Sequence, residues 1–289
     1  MTAAATTARP RTGGRTRRKF VRRPPAVIGL IGVAIAITVA LFAPWIAPYD
    51  PNAVEPTSVL SAPLTAGHLL GTDDLGRDLL SRLVVGARAS LAAGVLATLL
   101  GLVAAVPLGL VSGYYRGWLD SVVSRVIDVV LSFPFLIIAV GLAAILGPSL
   151  MNEVIALAVA QVPIFVRVTR GEVLGLRELE YVDAAVVNGA PDRVVLTRHI
   201  LPNTLNPLIV QATVAIPSSI IGASVLSFLG LGEQPPTASW GTMLTDAQQY
   251  IAQAPWFAVF PGLAIALTAL SFNLFGDGLR DVLDVRMRS

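Results

Sequence analysis

Cysteine is absent from all 289 residues, histidine occurs only at His68 and His199, and lysine only at Lys19. The first absence removes disulfides, thiolate metal sites, redox motifs and Cys/His nucleophile pairs. With a single lysine, flanked by Arg18 and Phe20, there is no Gly-x-x-x-x-Gly-Lys-Ser/Thr phosphate loop. Two isolated histidines form no His-Glu-x-x-His zinc motif, and His199 alone is a poor basis for an intramembrane serine hydrolase. Charge is scarce as well, at 13% of residues against 54% hydrophobic, with a mean hydropathy of +0.72. A soluble domain carries about twice that charged fraction. The net charge of +3 therefore reflects how a membrane chain distributes its arginines, and a nucleic-acid partner is not expected.

What is present is a series of long apolar runs. A helix needs about 20 apolar residues to cross a hydrocarbon core of about 30 Å. Asking where charges stop predicts helices near residues 26–47, 88–112, 124–146, 150–169, 206–229 and 256–276. The fourth is acceptable only if Glu153 and Arg167 lift their charges to the two rims. Pro134 and Pro163 are expected to kink their helices. The fold class is thus all-α, an integral membrane protein with six transmembrane helices.

Six spans place both termini on one side, and the arginine-rich start fixes that side as the cytoplasm. On this topology the outer connections hold only Arg77, Arg82 and Arg88, and every other basic residue lies inside. Residues 1–23 read as a disordered basic tail, 24–87 as the first span with an extracytoplasmic loop, and 88–289 as a core of five spans. The first apolar run is about twice a signal-peptide core, so an uncleaved span is expected. In the outer loop, Asp73, Asp74 and Asp78 lack the alternation and terminal Glu of a calcium loop, and Thr72 and Asp73 are expected to supply an N-cap and turn.

The most distinctive stretch is polar. It lies between the fourth and fifth spans, at 170–203, and is longer than a turn requires. Asp183, Ala184 and Ala185 can open a short helix with a small-residue face, and Gly189 and Pro191 permit a sharp exit. A surface loop held by pairs such as Arg177 with Glu180 is the plainer alternative.

The spacing of Asp183, Ala184, Ala185, Gly189, Leu201 and Pro202 resembles the coupling-loop pattern of ABC importer permeases. Asp183 stands where Glu is usual, and His199 fills an Ile position with Ile200 following. Two further stretches, Leu70-Gly-Thr-Asp-Asp-Leu-Gly-Arg-Asp-Leu-Leu-Ser-Arg82 and Ser227 to Gly241 with Asn273 to Asp281, are similar to the C-type permeases of dipeptide, oligopeptide and nickel importers. The resemblance implies the type I importer fold, also called MetI-like. It also implies a cell-membrane assembly with a second, homologous permease, two ATPases that bind ATP and Mg, and an extracytoplasmic solute-binding protein. On this chain it implies no cofactor and no catalysis, a coupling role for Asp183, Ala184, Ala185, Gly189, His199, Leu201 and Pro202, and peptide cargo, with nickel or haem-like cargo as alternatives.

The pathway is less legible. Gln211, Ser218, Ser219 and Ser224 on the fifth span are candidates to line it, and packing is an equal alternative for such residues. A gradient-driven carrier or channel is the rival from another class. Such carriers place acids inside spans, whereas here Glu153 alone comes near that condition.

Overall fold

The computed structural model describes residues 23–65 and 67–287, with side chains placed as far as residue 283. Except for Arg23, the expected basic tail lies outside the described residues. Helix dominates the described chain, with isolated bridges at Thr65–His68 and Thr72–Asp78. We label the principal helices α1 (Pro24–Leu41), α2 (Leu79–Tyr115), α3 (Gly117–Leu131), α4 (Phe135–Leu146), α5 (Leu150–Arg177), α6 (Glu180–Val187), α7 (Leu201–Phe228), α8 (Trp240–Ala247) and α9 (Pro255–Met287). Five helices among the described residues are long and apolar enough to cross a membrane, and α3 with α4 makes a sixth span if the bent pair is counted as one. The chain is an all-helical, multi-pass membrane protein. Helices satisfy their own backbone groups in lipid, which is why the apolar runs take this form.

The span limits differ from the sequence expectation for physical reasons. α2 begins at Leu79, nine residues before the expected start at 88 and inside the segment 24–87 assigned to the first span and loop. The charge-free run starts only after Arg88, but α2 extends back past Arg88, which is exposed, and past Arg82, which is only 1% exposed and lies 3.4 Å from Asp73 and 3.9 Å from Asp246. Its charge is neutralised by residues that the local sequence does not reveal. The third span is not one kinked helix over 124–146. It breaks between Leu131 and Phe135, and α3 and α4 meet at 90°. Pro134 has no N–H to donate and restricts Phe133 before it, so the helical ladder ends there. Pro163, by contrast, is accommodated inside the continuous α5.

Bundle packing centres on α2 and α5, with α7 against both. Small residues set the spacing: a Cβ added at Gly109 would lie 2.5 Å from Thr169 Cβ, so α2 can approach α5 this closely only without a side chain there. α1 lies against α9 at the edge of the bundle.

The connections at the α8 end form a cap over the bundle. The α2 N-cap is Asp78, which accepts from Ser81 N at 2.7 Å and from His68 Nδ1 at 2.8 Å. Thr72 and Asp73 therefore do not cap the helix as expected. Asp73 closes a turn by accepting from Leu75 N and Arg77 N, and Thr72 Oγ1 accepts from Ser61 N.

Candidate functional site

The polar stretch between α5 and α7 folds against the end of the bundle opposite the cap. Val182, Val195 and Ile200 are at most 1% exposed and pack with Leu110, Tyr114 and Val173. Burial of these side chains anchors α6, each worth roughly 1.5–3 kcal/mol when fully removed from water. Tyr114 donates its hydroxyl to Asp192 Oδ1 at 2.9 Å, and Arg177 donates to the Tyr114 carbonyl at 2.5 Å while its guanidinium sits 5.4 Å from the Tyr114 ring centroid. The Arg177–Glu180 pair of the plainer loop alternative does not form. Arg177 is bound to Tyr114 instead, and the nearby exposed ion pair is Arg116 with Glu178 at 2.5 Å.

On this anchored base, α6 presents an uncovered face. Asp183 and Ala184 are exposed, Ala185 is half-buried, and Val186 and Val187 are 50% and 86% exposed. Val186 and Val187 are thus adjacent exposed aliphatic side chains on a short helix outside the apolar spans. Gly189 follows with φ +78°, a left-handed conformation that glycine adopts without strain, and nothing lies near the position of a Cβ.

His199 sits in a single π-helical turn, Val195–Ile200, which leads directly into α7. Its carbonyl accepts from Asn203 Nδ2 at 2.7 Å and Tyr181 OH at 3.4 Å, tying the start of α7 to α6. Leu201 and Pro202 are the first two residues of α7 and follow the π turn without a break in the helix. The seven residues expected to couple thus lie along the connection from the exposed short helix α6 to the start of α7.

The four pathway candidates do not form one site. Gln211 lines a cavity of about 330 Å³, and Ser218 is exposed on the same side of α7 as Val214 and Ile221. Ser219 is fully buried, accepts from Gln161 Nε2 at 2.7 Å and lies 3.1 Å from Thr98 Oγ1. Ser224 bonds back to the Ile220 carbonyl at 2.9 Å. Ser219 and Ser224 serve helix packing, whereas Gln211 and Ser218 lie on an open face.

Glu153 departs from the expectation that it would reach the rim. It stands in the first turn of α5, but the connector after α7 covers it, leaving 1% exposure and a hydrogen bond from Ser227 Oγ at 3.2 Å. A Cβ at Gly232 would lie 2.2 Å from Glu153 Oε2, so glycine allows this cover to close.

The cap contains a charge cluster that sequence reading missed. Asp73 holds Arg77 Nε at 2.6 Å and Arg82 Nε at 3.4 Å, and Asp246 at the end of α8 lies 3.5 Å from Arg77. Burial pushes the Asp74 carboxyl above its ordinary value, aided by neighbouring Asp73. Burial and nearby Asp74 do the same to Asp246. Only the triplet Arg77, Asp78 and Arg82 at the foot of an apolar run could have signalled buried pairing.

Residues 105–289 match the family described as binding-protein-dependent transport system inner membrane component, and residues 13–63 match the N-terminal TM domain of oligopeptide transport permease C. The chain is similar to the dipeptide transport system permease protein DppC of Alkalihalophilus pseudofirmus, at 46% identity over 91% of this chain and 86% of the relative. It is 44% identical to the probable D,D-dipeptide transport system permease protein DdpC of Escherichia coli K12, over 90% of this chain and 87% of that one. The glutathione transport system permease protein GsiD of Escherichia coli O157:H7 is 45% identical over 94% and 89% of the two chains.

Proposed function

The chain belongs to the binding-protein-dependent inner membrane components, the permease subunits of ABC importers, and from that membership we propose that it carries di- and oligopeptides across the membrane in an ATP-driven complex. It is the translocation subunit and performs no hydrolysis itself. In this reading ATP and Mg bind two partner ATPases, a second homologous permease completes the pathway, and an extracytoplasmic solute-binding protein delivers the peptide at the cap. Both termini and α6 face the cytoplasm. The peptide class rests on relatives whose names specify dipeptide, D,D-dipeptide and glutathione transport.

The observation that carries the coupling role is the combination of an exposed Val187 with a buried Val182 on one eight-residue helix. The buried side fixes α6 to α2, α5 and α7, and the exposed side is available to a partner. A push on α6 is then transmitted to α7 through the Tyr181, His199 and Asn203 contacts as rigid-body motion, with no chemistry on this chain. Glu153, the acid that the gradient-driven alternative singled out, is turned into the packed cap end and held by Ser227; dependence of uptake on ATP is what separates the two readings.

The absence of cysteine makes the contact simple to test. In the assembled complex, Val187→Cys paired with single cysteines around the ATPase groove should crosslink, with a yield that changes between ATP-bound and nucleotide-free states. Failure of every such pair to crosslink in a complex active for uptake would remove α6 from the coupling contact.

A further inference from the structure

The cavity between α5, α7 and α9 has a composition that the coupling role does not explain. It encloses about 330 Å³, near the lower end of the roughly 300–1,000 Å³ range typical of small-molecule sites. Glu172 of α5 and Arg280 of α9 both line it, together with the amides Asn206 and Gln211 and the aliphatic wall Val210 and Val214 of α7. Val210 and Gln211 lie about one turn below Val214, and Ser218 one turn above it, so the cavity opens onto the same uncovered face of α7.

An acid, a base, two amides that both donate and accept, and an apolar wall define a ligand of matching polarity. A simple cation or anion could take over the present partner's place at only one of the two charged side chains. A hydrocarbon would satisfy neither. A short peptide with free termini carries an ammonium at one end and a carboxylate at the other, separated in an extended dipeptide by roughly 7 Å of backbone. Its peptide group can bond an Asn or Gln side chain while its side chains rest on valine.

We propose that this cavity is a binding station for a zwitterionic short peptide, with Glu172 receiving the ammonium, Arg280 the carboxylate, and Asn206 and Gln211 the peptide backbone. The proposal deepens the peptide-import reading and rests on it. Glu172 and Arg280 each already make an interaction within the protein, so the ligand's termini enter by exchanging partners. Exchange suits a transport site, which must release what it holds. Specificity at this station is for the charged ends, with the valine wall tolerant of residue type.

The test uses alkylation protection in the full complex with its second permease and ATPases, without solute-binding protein, carrying Val214→Cys in the otherwise cysteine-free chain. Ala-Leu at about ten times its dissociation constant should slow maleimide labelling roughly tenfold. N-acetyl-Ala-Leu and Ala-Leu-amide should protect much less. Glu172→Gln should abolish the discrimination against the acetylated peptide, and Arg280→Gln that against the amide. Gln211→Leu, which changes no charge, should weaken protection by all three and serves if either charge variant fails to assemble. Equal protection by free and capped peptides, or variants that leave protection unchanged, would overturn the station while ATP-driven dipeptide uptake by the same complex still upheld the importer reading. A complex with no such uptake would bring down both.

Discussion

The Tyr114 hydroxyl donates to Asp192 Oδ1 at 2.9 Å, joining the end of α2 to the segment that leads from α6 into α7. This bond closes a bracket whose other arm is Arg177 on the Tyr114 carbonyl, so α2, α5 and the connection from α6 to α7 meet at one tyrosine.

Tyr114→Phe removes only the hydroxyl. The ring still packs with Val182 and Val195, and the expected stability loss is about 1 kcal/mol. The larger effect should be on coupling: peptide uptake per ATP hydrolysed falls while ATPase co-purification is unchanged. Parallel uptake and hydrolysis measurements in proteoliposomes check this, and an unchanged ratio would show that the bracket is not part of the transmission.

Gly189→Ala places a Cβ on a backbone at φ +78°, where there is room for it but the conformation costs an L-residue roughly 1–2 kcal/mol. Asn is tolerated better in this region. Uptake should therefore fall in the order Gly, Asn, Ala, and Gly189→Asn should retain most of it. Equal activity in all three would mean that the turn has no need of the left-handed conformation.

In the bundle interior, Ser219→Ala takes from Gln161 Nε2 its nearer acceptor, leaving the Leu157 carbonyl at 3.4 Å, and Gln161 Oε1 has no hydrogen-bond partner to begin with. The expected cost is about 1–2 kcal/mol. Gln161→Met, which removes the amide altogether, should cost less because no buried polar atom is then left unmet. Thermal unfolding of the purified complex ranks the two, and the opposite ranking would contradict this account of the node.

The cap predicts a pH dependence. Asp74 and Asp246 have carboxyls raised by burial, so the folded cap binds protons more readily than the unfolded chain does. Their contribution to stability is greatest below the ordinary carboxylate value and declines as pH rises through the window between that value and the raised one. Asp74→Asn should flatten this slope. Hydrogen exchange of the Ser58–Arg77 amides against pH reads it directly, and an identical slope in the variant would exclude Asp74 as its source. Arg82→Met, which leaves Asp73 and Asp246 facing each other with less positive charge, should cost about 3–5 kcal/mol.

Sequence alone located most of the spans and the polar connection before α7 because both signals are contiguous: an uninterrupted apolar run for α9, a polar stretch of fixed spacing from Asp183 to Pro202 for the connection. It failed where the partner lies far along the chain. Arg82 looked like a residue of the outer loop because Asp246 could not be seen beside it, and Ser219 looked like Ser218 because only the packed helix shows which of two adjacent serines meets Gln161. Pro134 announced a disturbance, but a kink and a 90° break have the same sequence signature. The cavity of Glu172 and Arg280 was hidden for the same reason, since three separate helices converge to make it.

Labelled dipeptide uptake into proteoliposomes holding the complete complex and its solute-binding protein tests the central claim most directly. ATP inside the ATPase compartment should drive accumulation against a gradient, and collapsing proton and sodium gradients should leave it intact. Accumulation that persists without ATP or ATPases and vanishes with the ion gradients would contradict the importer reading.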